Sequence, residues 1–240
     1  MRRAEYVELV LSEHFNLSER ILKVIEKAII SGSIKPGERI NETEIARSLG
    51  TSKSPVREAL KRLEGEGIVE PLPRKGYFVR KIDRERIEEF FDIITIIEPA
   101  IVRMSLRKGS RGVWRKIDGF IKDMERELRK RDYDEYLVLN DEFHTYFYEL
   151  TENEWAIKIS QMLRKQATML RSLSLYTRNR FSASIVEHRA IAEAYKSGDS
   201  GQLTKAVENH LLRFKENIIQ SDLLKSGEKG QVEPKSNSFI

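Results

Sequence analysis

Between Asn41 and Gly76 the chain reads NETEIARSLGTSKSPVREALKRLEGEGIVEPLPRKG, and that stretch restricts the possible folds more than any other. Asn41 can cap a helix whose third position is Glu44, and Gly50 can end it after Ile45, Ala46 and Leu49. Ser52 or Ser54 caps a second helix, in which Pro55 is tolerated because a first-turn N–H has no intrahelical acceptor. Val56, Ala59, Leu60 and Leu63 supply an apolar stripe, while Lys53, Arg57 and Lys61 recur at i, i+4 and i+8 on another face. Two short helices in a tight connection, the second backed by cations, suit the major groove of double-stranded DNA.

The flanks extend this unit. Residues 4–15 read as a short amphipathic helix with Tyr6, Leu9, Val10 and Phe15 inward. Ser18 is expected to cap a helix carrying Ile21, Leu22, Ile25, Ala28 and Ile29, with Gly32 ending it. SGSIKPGERI turns at Pro36-Gly37. Ile68–Leu72 and Gly76–Val79 then read as two strands joined through Pro73-Arg74-Lys75, and residues 71–81 hold four cations and no acid. Three helices and a basic hairpin make a winged helix-turn-helix. Residues 1–81 carry 16 Lys/Arg against 12 Asp/Glu, and the remaining residues 27 against 26, so the basic excess lies where phosphate contact needs it.

Beyond Lys81 the pattern is helical, with helices expected at 84–108, 112–131, 134–150, 154–178, 183–197 and 201–221, and with Pro99 kinking the first. The fold class is therefore mainly α: a winged helix-turn-helix over 1–81, an antiparallel all-α bundle over 82–225 and a disordered tail over 226–240. The chain lacks cysteine, which excludes disulfides and thiolate metal sites, and no apolar run approaches the ~20 residues of a membrane span. MRRAEYVELVLSEHF carries charges through its apolar part and shows no small-residue cleavage site, so a cytoplasmic location is expected.

His144, His188 and His210 fall on separate helices, each on an apolar face: beside Phe143 and Phe147, beside Ile185 and Ile191, and beside Val207 and Phe214. Three inward imidazoles plus one oxygen suit zinc, nickel, manganese or iron. Asn140, one turn before His144, or Asp141 offers the oxygen. Against this stands the reading that each is a core histidine bonded to a buried neighbour.

Residues 18–80, with GSIKPGERINE, ETEIARSLGTSKSPVREALKRLEGEGIVE and PRKGYFV, resemble the DNA-binding domain of GntR-type bacterial transcription regulators. The resemblance implies contacts to a palindromic operator from Lys53, Ser54 and Arg57, and from Lys75-Gly76 at the wing. Thr43 aligns with a contacting arginine of one relative, and Lys53 stands where arginine is usual; a lysine lacks the bidentate fork for guanine. NDEFHTYFYELTENEW, VEHRAIAEAYKSGD and AVENHLLRF are similar to the FCD effector domain of the FadR subfamily. That similarity implies a divalent metal (zinc, nickel or manganese) on Asn140, His144, His188 and His210, with Asp141 as an alternative to Asn140.

It further implies a homodimeric regulator, a repressor rather than an enzyme, whose operator affinity responds to a small carboxylic acid. Relatives hold such an acid with an arginine, but Ile94-Thr95-Ile96-Ile97-Glu98 has none, so Arg103, Arg164, Arg171, Tyr146 and Tyr176 are the candidates here. Two other readings stay open. One is a purely structural metal with no organic effector. The other is a metal-dependent hydrolase, for which Glu187 or Glu149 would be the general base.

Overall fold

The computed structural model describes residues 16–30, 32–81, 83–174 and 178–220, with the backbone alone for 171–174 and 178–179. The expected helix at 4–15, the tail from Ser226, Tyr176 and the side chain of Arg171 lie outside the described residues. What is described forms two compact units, 16–81 and 83–220.

In the first unit, α1 (Leu17–Ile30) and α2 (Glu42–Ser48) pack on α3 (Lys53–Gly65), and α3 packs on a small antiparallel sheet. The cap of α1 is Asn16 rather than Ser18: the Asn16 Oδ1 accepts from the Glu19 N–H at 2.9 Å and from the Ser18 hydroxyl at 2.8 Å. Asn16 stands immediately before the helix, where an N-cap side chain reaches the third helical N–H, whereas Ser18 already lies in the first turn. Asn41 caps α2 as expected, accepting from the N–H groups of Thr43 and Glu44. Gly50, at φ +64°, ends it; the Thr51 N–H reaches the Ala46 carbonyl at 2.9 Å and the Gly50 N–H reaches that of Arg47 at 3.3 Å. This doubly bonded exit needs a left-handed residue, which glycine supplies without strain. Ser52 stands at the start of α3, but its hydroxyl makes no capping bond.

The sheet has three strands where two were expected: β1 (Arg39–Ile40), β2 (Val69–Leu72) and β3 (Gly76–Val79), in the order β1-β3-β2. Arg39 pairs with Phe78 and Ile40 with Tyr77, while Leu72 pairs with Gly76 across the Pro73-Arg74-Lys75 turn. Ile21, Ile25, Ile34, Val56, Leu60, Leu63 and Val79 form an aliphatic core without an ionised group.

The second unit is helical throughout: α4 (Arg84–Ser105), a 3₁₀ turn (Leu106–Lys108), α5 (Arg111–Lys130), α6 (Tyr133–Glu149), α7 (Glu154–Ser174), α8 (Arg178–Ser197) and α9 (Ser200–Gln220). Helix α4 continues through Pro99, whose missing N–H leaves the Thr95 carbonyl one bond short. Helix α8 starts at Arg178, some residues before the expected 183, because Phe181 is buried and stacks on Tyr133 at 4.6 Å between ring centroids. Helix α9 packs on α4, α8 and α7, and α6 packs on α5, α7 and α4. That arrangement brings inward faces of α4, α6, α8 and α9 to one interior. The Tyr195 hydroxyl donates to the Ser105 carbonyl at 2.8 Å there, so the buried polar end of a large ring is satisfied.

Candidate metal centre and nucleic-acid interface

In the first unit every residue singled out for DNA contact is at the surface or the wing. Thr43, Lys53, Ser54, Arg57 and Lys75 are exposed, and Gly76 is half-buried. Lys53 and Ser54 occupy the first turn of α3, and Arg57 follows one turn after Lys53, because Val56, Ala59, Leu60 and Leu63 take the opposite face into the core. Arg57 Nε lies 3.0 Å from Glu42 Oε2, which ties the guanidinium to the preceding helix while leaving it 59% exposed. At that exposure the pair orients the side chain more than it stabilises the unit.

At the wing, Arg74 and Gly76 both take left-handed backbone, at φ +63° and +92°. A side chain added at Gly76 would meet the Arg39 guanidinium, with Nε and Nη2 each 3.8 Å from its Cβ. Arg39 therefore joins Arg74 and Lys75 in the cationic tip. Sequence reading missed it, because Arg39 reaches the wing only through the two-residue strand β1.

In the second unit, the three histidines converge. His144 on α6, His188 on α8 and His210 on α9 are at most 3% exposed, and one ring nitrogen from each lies within 4.8 Å of the other two. Their ring centroids are 4.8 to 5.2 Å apart, and Phe143 closes one side at 4.8 Å from His188. Two carboxylates reach the cluster from behind. Glu98 Oε1 on α4 is 3.0 Å from His144 Nδ1, and Glu187 Oε2 on α8 is 2.7 Å from His210 Nδ1. Arg180, itself buried, grips both oxygens of Glu187 through Nη1 at 2.5 Å and Nη2 at 3.0 Å. Burial pushes the Glu187 carboxyl up, but the bonds from His210 and Arg180 outweigh it and hold it below the usual carboxylate range.

Asn140 is buried one helical turn from His144. Asp141, its proposed substitute, turns to α7 instead: it accepts from Arg164 Nη2 at 2.5 Å and from the Thr168 hydroxyl at 3.0 Å. Arg164, buried on α7, is pulled down by burial, yet Asp141, Tyr148 and Glu98 together raise it above an ordinary arginine. Burial likewise raises the phenol of Tyr148 well above its usual value, with Glu98 adding to the effect. Of the other effector candidates, Arg103 is exposed at the end of α4. Tyr146 is half-buried beneath Lys116, whose Nζ stands 4.6 Å from its ring centroid. Its phenol is raised by burial and then by Glu149.

The family description "Bacterial regulatory proteins, gntR family" matches residues 17–79, and "FCD domain" matches residues 89–213. The chain belongs to the GntR-family regulators that carry an FCD domain. It is 26% identical over 189 residues to the uncharacterized HTH-type transcriptional regulator YdhC of Bacillus subtilis, spanning 78% of this chain and 83% of that one. It is 22% identical to the HTH-type transcriptional repressor RspR of Escherichia coli, over 89% of this chain and 94% of the other. Among solved structures, E. coli McbR/YncC has the same fold, with a TM-score of 0.75 at 17% identity over 86% of this chain and 98% of that one.

As a GntR-family protein the chain is a DNA-binding transcriptional regulator, and its families and relatives are regulators rather than enzymes. Among the described residues no helix is long and apolar enough to cross a membrane. Of the buried carboxylates in this FCD domain, Glu98 carries no local sign of its role, since its partner His144 is 46 positions away. Glu187 was legible only as a potential base.

Proposed function

We propose that this regulator reads a palindromic operator as a homodimer and that its FCD domain holds one divalent metal (zinc, nickel or manganese) on His144, His188 and His210, with Asn140 supplying an oxygen. The observation that carries this reading is the convergence of three buried imidazoles from three helices within 4.8 Å. The donor set fits such an ion. Neutral imidazoles are nitrogen donors of the right softness, and a carboxylate behind Nδ1 of two of them is the usual support of a ligating histidine. A bound divalent ion would supply Lewis acidity and positions open to an anionic oxygen. The chain's own part is to keep the donors together in a dry interior.

The effector in this reading is a small carboxylic acid at that centre, and its binding shifts operator affinity by favouring one arrangement of the dimer. Repression is the expected direction, in line with the printed name of the E. coli relative. Lys53, Ser54, Arg57, Thr43, Lys75 and Gly76 would face the DNA, with a two-fold dimer matching half-sites one helical turn apart. One observation favours a second reading in which the metal is structural: the buried Arg164 is already bonded to Asp141, inside the domain. The hydrolase reading is disfavoured: Arg180 and His210 occupy the oxygens of Glu187 and lower its affinity for a proton, and Glu149 is exposed at the end of α6.

A fluorescence-anisotropy titration of zinc-loaded protein on promoter DNA, with and without a panel of organic acids, tests the proposal. Tight, sequence-dependent binding that one acid changes tenfold or more supports the sensing reading. Binding that no acid alters supports the structural one. Binding that is equal on promoter and random DNA at physiological salt contradicts both.

A further inference from the structure

We propose that Glu98 and Glu187 are positioning residues of the histidine centre, and that Glu98 supplies the negative charge its inner donors lack. This rests on the metal reading above. The two carboxylates approach the same atom of their histidines, Nδ1, at 3.0 Å for His144 and 2.7 Å for His210. A carboxylate that accepts from Nδ1–H fixes the proton there and leaves the lone pair on Nε2, so each ring is held in one tautomer and one orientation. The two acids come from different helices, α4 and α8, and so tie those helices to ligands on α6 and α9.

The charges of the two acids are not equivalent. Glu187 is neutralised by Arg180, which spans both its oxygens. Glu98 is 3% exposed, and among the described residues no lysine or arginine forms an ion pair with it; its Oε1 meets the His144 ring instead. Arg164 feels the Glu98 charge, but its guanidinium is bonded to Asp141. A centre of three imidazoles and an asparagine carries no charge of its own, and a dication placed in a buried interior is costly unless an anion stands close. Glu98 is the buried anion whose charge is not already matched by an arginine of its own. It thus does in the outer sphere what an aspartate would do as a direct ligand.

The test is a zinc titration of metal-stripped full chain against a chromophoric chelator, for the wild type, Glu98→Gln and His188→Ala. Glu98→Gln keeps an acceptor oxygen and removes the charge. It is expected to weaken zinc binding by about 10–100-fold while the melting temperature of the metal-free protein stays near that of the wild type. A change of less than twofold overturns the proposal while the metal reading stands. Wild type that binds no tighter than His188→Ala overturns both.

Should Glu98→Gln fold poorly, the wild type itself decides the point. With ¹⁵N-histidine and ¹¹³Cd²⁺, the metal is expected to couple to Nε2 of His144 and His210, and coupling to Nδ1 overturns the positioning role.

Discussion

Lys53, Ser54 and Arg57 stand in solvent on an aliphatic core, whereas His144, His188 and His210 stand inside the core of their own unit. The first arrangement separates stability from function. Val56, Ala59, Leu60 and Leu63 fold α3, and the cations on its other face are free to be chosen for DNA. The second arrangement merges the two. A buried imidazole costs free energy unless it is bonded, and the carboxylates that bond it bring further charge that must be matched in turn. Glu187 needs Arg180, and Arg164 needs Asp141. A polar interior of this kind is stable only as a set, so a substitution that strands one charge of a matched pair should affect folding and ligand binding together.

The largest expected effect sharpens the contrast. Leu60→Ala, at a fully buried position, should destabilise the winged unit by about 2–5 kcal/mol, read from its urea midpoint, without altering any residue proposed to face DNA. Arg57→Ala should do the reverse: operator affinity falls by about 1–3 kcal/mol in an anisotropy titration, and the urea midpoint moves by less than about 0.5 kcal/mol. A large loss of stability in Arg57→Ala would mean that the Glu42 pair is structural and the separation is false. Asn41→Ala, which removes the acceptor for two helix N–H groups, should cost about 1 kcal/mol by the same measurement.

The smallest effect lies at the start of α9, where the exposed Asp199 accepts from the N–H groups of Gln202 and Gly201. Those bonds hold its carboxyl below the ordinary aspartate range. A lowered folded value means that its contribution is full above the ordinary aspartate pKa of about 3.9 and fades as pH falls through the folded value. Comparing urea midpoints at pH 6 and pH 3, Asp199→Ala should lose less stability on acidification than the wild type.

What could be read from the sequence follows the same division. The Asn41 cap, the Gly50 exit and the Pro73-Arg74-Lys75 turn are written in residues a few positions apart, and each stands where local chemistry puts it. The inward direction of the three histidines was also legible, because each repeats the spacing of apolar neighbours. Their partners were not. Glu98 meets His144 across 46 positions and Glu187 meets His210 across 23, and helix periodicity carries no information over such distances. The early start of α8 and the strand at Arg39–Ile40 escaped for the same reason: Phe181 is held by Tyr133, and β1 exists only because β3 is beside it. Ser18 lost the cap to Asn16 by local competition between two polar residues, which pattern alone does not rank.

The merged character of the histidine interior is tested most directly by melting the metal-stripped full chain with increasing zinc. An ion bound by the folded state alone stabilises by RT ln(1 + [L]/Kd), about 4 kcal/mol at a thousandfold excess over Kd. The unfolding of the helical unit is expected to move upward with zinc, saturating at one ion per chain, and His188→Ala is expected to abolish the shift. A helical unit whose melting is the same with zinc as with chelator, at all concentrations, would contradict that expectation.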